Sequence, residues 1–119
     1  MKYESEKYII TGDMEWEDVG GGLKRKIMGF NDEIMMVYVH FNKGGIGQRH
    51  KHIHSQTTYV VSGKFEVAIG EEKKMLSAGD GFFIPPNIEH GAVCMEEGVL
   101  IDVFSPIRED FMEGKSYTK

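Results

Sequence analysis

The sequence contains very little cysteine and proline and no long apolar run. Cys94 is the only cysteine among the 119 residues, and proline occurs three times. A single cysteine excludes a disulfide bond within the chain and fits a reducing compartment. The apolar stretches fall far short of the ~20 residues that a membrane-spanning helix needs. The first ten residues, MKYESEKYII, lack the apolar segment of a signal peptide, so we expect a cytoplasmic protein.

Positive charge is also scarce. The chain carries 14 Lys and Arg against 19 Asp and Glu, which gives a net charge of -5. The one basic cluster, Lys24-Arg25-Lys26, stands between Leu23 and Ile27, and this pattern predicts the solvated face of a strand. Nothing in the sequence resembles the basic surface of a nucleic-acid-binding protein. We therefore expect neither nucleic acid nor a membrane as a partner.

Turn-forming residues and short β-prone runs are abundant. Glycine occurs 15 times, and turn signals such as Gly20-Gly21-Gly22 and Ser62-Gly63 recur at short intervals. Runs rich in Val, Ile, Phe, Tyr and Met lie between them, at residues 34–41, 57–61, 65–69, 81–84, 91–95 and 99–105. This rhythm predicts an all-β sandwich or closed barrel of short antiparallel strands. One helical turn is expected, near residues 108–112.

The length and composition suit one folded domain. Apolar residues make up 40% of the chain and charged residues 28%, which is ordinary for a soluble globular protein. A chain of this size holds one modest hydrophobic core. We expect a single domain over residues 1–119, with the barrel over about 20–112 and a frayed polar tail over 113–119.

Histidines are concentrated in one segment. His50, His52 and His54 alternate, so on a strand they point to one face. Gln56 is near enough to supply a further donor, and His90 follows a proline-containing turn farther along the chain. Imidazole is a common ligand of transition metals. The pattern predicts one bound metal ion with His50, His52 and His90 as ligands, while His54 lies behind the ligands or faces the substrate.

A second group of polar residues lies near the C-terminus. Asp102 interrupts an apolar strand-like run, and burying a carboxylate without partners is costly, so we expect it to face a polar cavity or a cation. Arg108 follows six residues later, and its planar fork suits a carboxylate. Two interpretations remain open at this point: Asp102 and Arg108 belong to a functional site, or they form a structural ion pair.

These residues fall into two motifs of the cupin superfamily, which the sequence resembles. The first motif, G-x5-H-x-H-x3,4-E-x6-G, is matched by Gly44, His50, His52 and Gly63, with Gln56 where the family usually has Glu. The second, G-x5-P-x-G-x2-H-x3-N, is matched by Gly79, Pro85 and His90, with Asn87 and Cys94 in place of Gly and Asn. The resemblance implies a double-stranded β-helix, also called a jelly-roll barrel.

The glutamine at position 56 changes the expected charge of the site. A glutamate ligand would leave a divalent ion with a net charge near +1, whereas three neutral imidazoles and an amide leave it near +2. A more positive ion is a stronger Lewis acid and a better trap for anions. We therefore expect an anionic small molecule, such as a carboxylate, as the substrate.

Beyond the superfamily, the chain is similar to the small pectin-degradation cupins of the KdgF type. The similarity covers residues 16–27, the histidine-rich segment, residues 78–93 and residues 98–111. It implies a metal-dependent, isomerase-like enzyme that opens and ketonises 4,5-unsaturated uronates to linear keto-aldehyde acids. It also implies these site residues: His50, His52, Gln56 and His90 as ligands of one divalent transition ion (Ni, Zn, Fe, Mn or Co), Asp102 and Arg108 as catalytic residues, and Arg108, Phe104, Gln48 and His54 as substrate-binding residues.

The residues leave two other functions open and favour one assembly. The same histidines would serve a cupin dioxygenase or decarboxylase, although those activities give no reason for the block from Asp102 to Arg108. A non-catalytic module that senses a sugar or an acid is the third possibility. Cupins of this kind commonly pair, and the apolar segment at residues 8–10 is suited to join the sheet edge of a neighbour. We therefore expect a homodimer.

Overall fold

A computed structural model describes residues 2–113 and consists mainly of β-strands. Within these residues the strands are β1 (Glu17–Gly20), β2 (Leu23–Asn31), β3 (Ile34–Phe41), β4 (Ile46–His50), β5 (Ser55–Ile69), β6 (Glu72–Ser77), β7 (Gly81–Ile84) and β8 (His90–Ser105). A 3-10 turn, Thr11–Asp13, precedes β1, and one short helix, α1 (Glu109–Met112), follows β8 where the sequence predicts a helical turn. No helix in the described part of the chain is long and apolar enough to cross a membrane. The predicted polar tail lies outside the described residues except for Glu113.

All strand pairs are antiparallel, and the two longest strands, β5 and β8, pair with each other along most of their length. The sheet order is β1-β2-β3-β8-β5-β6, while β4 pairs with β8 and β7 pairs with β5. Residues 55–62 of β5 pair with residues 99–105 of β8, and residues 64–69 of β5 pair with residues 90–96 of β8. β3 flanks the first of these halves and β4 flanks the second. This arrangement confirms the predicted all-β barrel, and the extent of a single domain over the whole chain stays a prediction.

Gly63 stands where β5 passes from one half of the sheet to the other. The β5–β8 register shifts on both sides of this position, and Gly63 has a φ of +87°. A Cβ atom here would lie 2.6 Å from the carbonyl oxygen of Glu96. Both the backbone angle and the contact therefore require glycine, in agreement with its place in the first motif.

The inner face of the barrel is set by strand register. Met35, Val37 and Val39 on β3 are buried, and they lie opposite Phe104, Asp102 and Leu100 of β8. Directly opposed residues share a face of the sheet, so Asp102 belongs to the interior row. Burying each apolar member of such a row contributes roughly 1.5–3 kcal/mol. This burial offsets the cost of the polar groups that the same rows carry.

Candidate metal centre and active site

The barrel encloses a largely apolar cavity of about 250 Å³. A small number of polar side chains converge on its apolar walls. They are Arg25, His50, Gln56, His90, Asp102 and Arg108. An apolar pocket with a few convergent polar groups is the usual form of a small-molecule site.

Three histidines lie close together, and two of them, His50 and His90, line this cavity. One ring nitrogen of each of His50, His52 and His90 lies within 4.8 Å of the others. β4 and β8 place His50 directly opposite His90, and their ring centres are 4.4 Å apart. His52 lies beyond the end of β4, and its ring centre is 4.8 Å from that of His90. The predicted alternation along one strand is therefore wrong for His52 and His54, although the predicted grouping of His50, His52 and His90 is correct.

Backbone carbonyls fix the orientation of two of the rings. Nδ1 of His50 is 2.7 Å from the carbonyl oxygen of Gln48, and Nδ1 of His90 is 2.9 Å from that of Ile88. A carbonyl oxygen only accepts, so each Nδ1 carries the proton and each Nε2 keeps its lone pair for a ligand. The buried Nε2 of His90 has no hydrogen-bond partner among the described residues. Metal ligation would satisfy it.

Gln56 completes a donor set that fits a divalent transition ion. Its Nε2 donates to Thr58 Oγ1 at 3.0 Å and to Asp102 Oδ1 at 3.2 Å, so Oε1 is the atom that faces His52. His52 Nε2 and Gln56 Oε1 are 3.1 Å apart. Two ligands bound at about 2.1 Å and at right angles to each other lie about 3 Å apart. The same two atoms can therefore share a hydrogen bond or an ion.

Burial favours the neutral form of His52 and His90, which is the form that binds metal. It lowers the pKa of His52 from 6.5 to about 4, and the charges of Arg108 and His90 act in the same direction. Burial also lowers the pKa of His90, against the opposing effect of the hydrogen bond to Ile88. At neutral pH these two side chains would need to release no proton in order to bind an ion.

The lowered pKa of His52 predicts how the stability of the metal-free protein depends on pH. The unfolded chain takes up this proton at its ordinary pKa of 6.5, whereas the folded chain does so near 4. The unfolded state therefore binds more protons between these values, and the free energy of unfolding falls as the pH drops from 6.5 to 4. Urea midpoints measured on chelator-treated protein between pH 7 and 4 should decrease. The urea midpoint of His52→Gln should fall less steeply over the same pH range. A pH dependence equal to that of the wild type would contradict the lowered pKa of His52.

Asp102 is a carboxylate held inside the cavity by two donors. Thr58 Oγ1 donates to Asp102 Oδ1 at 2.7 Å, and the Gln56 amide donates to the same oxygen. Burial raises the pKa of Asp102 and outweighs the opposing effects of Thr58, Arg108 and Gln56. Asp102 keeps some accessible surface because it faces the cavity, yet protein surrounds it. A carboxyl group with a raised pKa is suited to proton transfer near neutral pH.

Arg108 lines the same cavity but does not pair with Asp102. Its Nε and Nη2 atoms donate to the two carboxylate oxygens of Asp110 at 3.0 and 2.8 Å. The guanidinium lies 5.0 Å from the ring centre of Phe104 and 4.1 Å from that of Phe111. The alternative of a structural ion pair between Asp102 and Arg108 is therefore wrong.

His54 and Gln48 occupy different places from the other predicted site residues. His54 is buried, its ring centre is 5.2 Å from that of His52, and its Nε2 donates to the carbonyl oxygen of Ile107 at 3.0 Å. It therefore supports the segment that carries Arg108. The Gln48 side chain is exposed, and its carbonyl orients His50. Neither lines the cavity that contains Asp102 and Arg108, and substrate binding by each stays a prediction.

Arg25 is a cavity residue that the sequence interpretation missed. The basic cluster was expected to form a solvated face, and for Arg25 this is wrong, since its side chain lines the cavity. The sequence did hold a signal for this position. Residues two apart on a strand share a face, so Arg25 lies on the same face as Leu23 and Ile27. Ile27 is buried in the structure. Lys24 and Lys26 point the other way and contact Trp16.

Asn87 joins the two histidine segments. It has a φ of +62°, in the left-handed region, where asparagine is tolerated better than most residues. Its N–H donates to the carbonyl oxygen of His52 at 2.7 Å. The asparagine thus accepts the turn conformation for which the second motif usually has glycine, and it anchors the loop that carries His52.

Comparison with known proteins identifies the family to which this barrel belongs. A family model described as a cupin domain matches residues 37–104. The chain belongs to the cupin family. This cupin is 52% identical over 108 residues to the pectin degradation protein KdgF of Dickeya dadantii (strain 3937), across 89% of this chain and 98% of the relative.

Solved structures extend the similarity to the whole barrel. An RmlC-like cupin from Shewanella frigidimarina superposes with a TM-score of 0.90 at 52% identity and covers 92% of this cupin and 98% of that chain. KdgF from Halomonas sp. superposes with a TM-score of 0.86 at 41% identity and covers 90% of this cupin and 99% of that chain. The predicted resemblance to cupins, and to KdgF among them, is confirmed.

Proposed function

We propose that this cupin opens and ketonises 4,5-unsaturated uronates, the breakdown products of pectin or alginate, to linear keto-aldehyde acids. The observation that carries the proposal is Asp102, a carboxyl group with a raised pKa that faces a cavity lined by His50 and His90, two members of a three-histidine cluster. Similarity to two proteins named KdgF supports the substrate class.

The reaction needs one proton removed and one delivered. The substrate is a cyclic hemiacetal whose ring oxygen is also part of an enol ether. Removal of the proton from the anomeric hydroxyl breaks the bond between C1 and the ring oxygen and leaves an aldehyde and an enolate. Delivery of a proton to C4 then turns the enolate into a ketone. Asp102 accepts the first proton and returns one to C4, so no oxidant or reductant is consumed.

The other residues orient the substrate and the proton carrier. Thr58 and Gln56 hold Oδ1 of Asp102. Arg108 binds the substrate carboxylate through its planar fork, and Phe104 forms an apolar wall beside it. His50, His52, Gln56 and His90 would hold one divalent transition ion. When bound, that ion supplies Lewis-acid stabilisation of the negative charge that develops on oxygen.

The test is the disappearance of the enol-ether absorbance of lyase-generated unsaturated uronates. Metal-loaded protein should accelerate it well beyond the spontaneous opening of the same sugars. The rate should be the same without oxygen, which separates this reaction from that of a dioxygenase, and no carbon dioxide should form, which separates it from a decarboxylase. Metal-loaded protein that binds the uronate without accelerating its opening would instead be a sensing module.

We also propose that the chain forms a homodimer and works in the cytoplasm. The outer face of β5 and β7 exposes two large side chains, since Tyr59 is 54% and Phe83 is 57% exposed. In the N-terminal segment Tyr8 is 86% exposed. A partner would cover such apolar groups. Light scattering at micromolar concentration should give twice the 13.5 kDa of the chain, and Phe83→Glu should lower the mass. A monomeric mass for the wild type would refute the dimer.

A further inference from the structure

Arg25 is a charged side chain in an apolar row of the barrel interior. It lies on β2 opposite Val39 of β3, which in turn lies opposite Leu100 of β8, and both of these neighbours are buried. Only 15% of the Arg25 side chain is exposed. Arginine keeps its charge in such surroundings, and burying that charge is costly unless an anion accompanies it. We therefore expect anionic groups to contact Arg25.

Arg25 and Arg108 converge on one aromatic ring. The guanidinium carbon of Arg25 lies 3.8 Å from the ring centre of Phe111, and that of Arg108 lies 4.1 Å from it. The two carbons are therefore no farther apart than the sum of these distances. Both side chains line the cavity that contains His50 and Asp102. Two cations at this separation repel each other, and an anion in the cavity that both of them contact relieves the repulsion.

The carboxylates that the protein itself supplies contact these cations from the rim. Glu17 accepts from Arg25 Nε at 3.0 Å and from its Nη2 at 3.4 Å, and Asp110 accepts from Arg108 in the same two-point manner. The Glu17 and Asp110 side chains are 37% and 57% exposed, against 15% and 10% for Arg25 and Arg108. A guanidinium has five N–H donors. Within residues 2–113 two donors of each arginine point at these carboxylates, so the others remain for an anion in the cavity.

We infer that Arg25 is a substrate-binding residue that, together with Arg108, takes the carboxylate of an anionic monosaccharide. The inference deepens the proposed uronate reaction and rests on it. A carboxylate has two oxygens with about four acceptor sites, enough for two guanidinium groups. The chain as a whole has a net charge of -5, so attraction of an anion depends on these two local cations. The pair makes the cavity selective for uronates over neutral sugars of the same size.

Arg25→Gln is the central variant. Removing hydrogen bonds to a charged group should raise KM for the unsaturated uronate about tenfold to a hundredfold. The value of kcat should stay within about threefold, because Arg25 binds the carboxylate in the ground state and the transition state alike. Lys24→Gln removes one positive charge from the same strand, but Lys24 lies on the outer face, 4.6 Å from the ring centre of Trp16. This control should leave KM unchanged.

Glu17→Gln separates substrate binding from a structural role. It breaks the ion pair between β1 and β2 but leaves the Arg25 charge in the cavity, so KM should not rise. Thermal unfolding of each variant reports on the barrel itself. If Arg25→Gln and Glu17→Gln raise KM equally, or if Arg25→Gln leaves KM unchanged while the wild type turns over, the inference is overturned.

Binding of a saturated uronate separates this inference from the proposed function. Calorimetry with glucuronate as the probe requires no turnover. Metal-loaded wild type should bind glucuronate, Arg25→Gln should bind it at least about tenfold more weakly, and glucose should bind to neither. This result supports the role of Arg25 even if the unsaturated uronate is not converted. Equal glucuronate affinity in the wild type and Arg25→Gln, or no binding by the wild type, overturns it.

Discussion

Asp102→Asn should lower the turnover of unsaturated uronate by about 10²–10⁴-fold, the usual loss when one general acid or base is removed. Asparagine keeps the shape of aspartate and can still accept from Thr58 and Gln56, which both donate to Oδ1 in the wild type. Folding and metal content should therefore be unchanged. The loss would report proton transfer rather than packing. The measurement is steady-state disappearance of the substrate, corrected for spontaneous opening.

Two variants of neighbouring residues serve as controls for this experiment. Arg108→Lys keeps the positive charge but loses the bidentate fork, so it should raise KM more than it lowers kcat. Asp110→Asn removes a carboxylate at the rim, where 57% of the side chain is exposed, and should reduce turnover far less than Asp102→Asn. Near-wild-type turnover in Asp102→Asn would show that another group carries the proton.

His90→Ala should remove the bound metal and with it the catalysed reaction. The His90 ring is held by Ile88 so that its buried Nε2 faces the other histidines. Mutation of a residue that only hydrogen-bonds to a metal ligand typically lowers metal affinity about 10–100-fold. Removal of a direct ligand should lower it more. Elemental analysis of protein purified without chelator should give close to one divalent ion per wild-type chain and little in the variant.

His40 supplies a matched control for this measurement. It is also a histidine on a strand, but its Nε2 contacts Glu97 at 2.8 Å, and it is not part of the metal-binding group. His40→Gln should keep both metal and activity. Full metal content in His90→Ala would contradict the ligand assignment. Chelation of the wild type followed by readdition of a divalent transition ion should abolish and then restore activity.

Much of the site was predictable because the residue spacing in the two cupin motifs identifies side chains that meet in the folded barrel. His50, His52 and His90 were grouped correctly from such spacing, and the structure brings their ring nitrogens together. The apolar run around Asp102 predicted a carboxylate that faces a polar cavity or a cation. Asp102 does face a cavity, but the walls of that cavity are largely apolar. The partner of Arg108 was not predictable in this way. It is Asp110, two residues away, because α1 turns that carboxylate back to the guanidinium.

The sequence by itself determined the class of the fold, since turn residues and alternating apolar residues act over only a few positions and need no knowledge of distant neighbours. Tertiary structure decided which side of each strand faces inward and which residues meet across it. Arg25 illustrates this most clearly. Its spacing places it on the same face of β2 as Leu23 and Ile27, yet only the pairing of β2 with β3 shows that this face is the cavity wall. The hydrogen bond from His54 to Ile107 joins residues 53 positions apart. Such contacts depend on the register and curvature of the whole barrel, which no local pattern encodes.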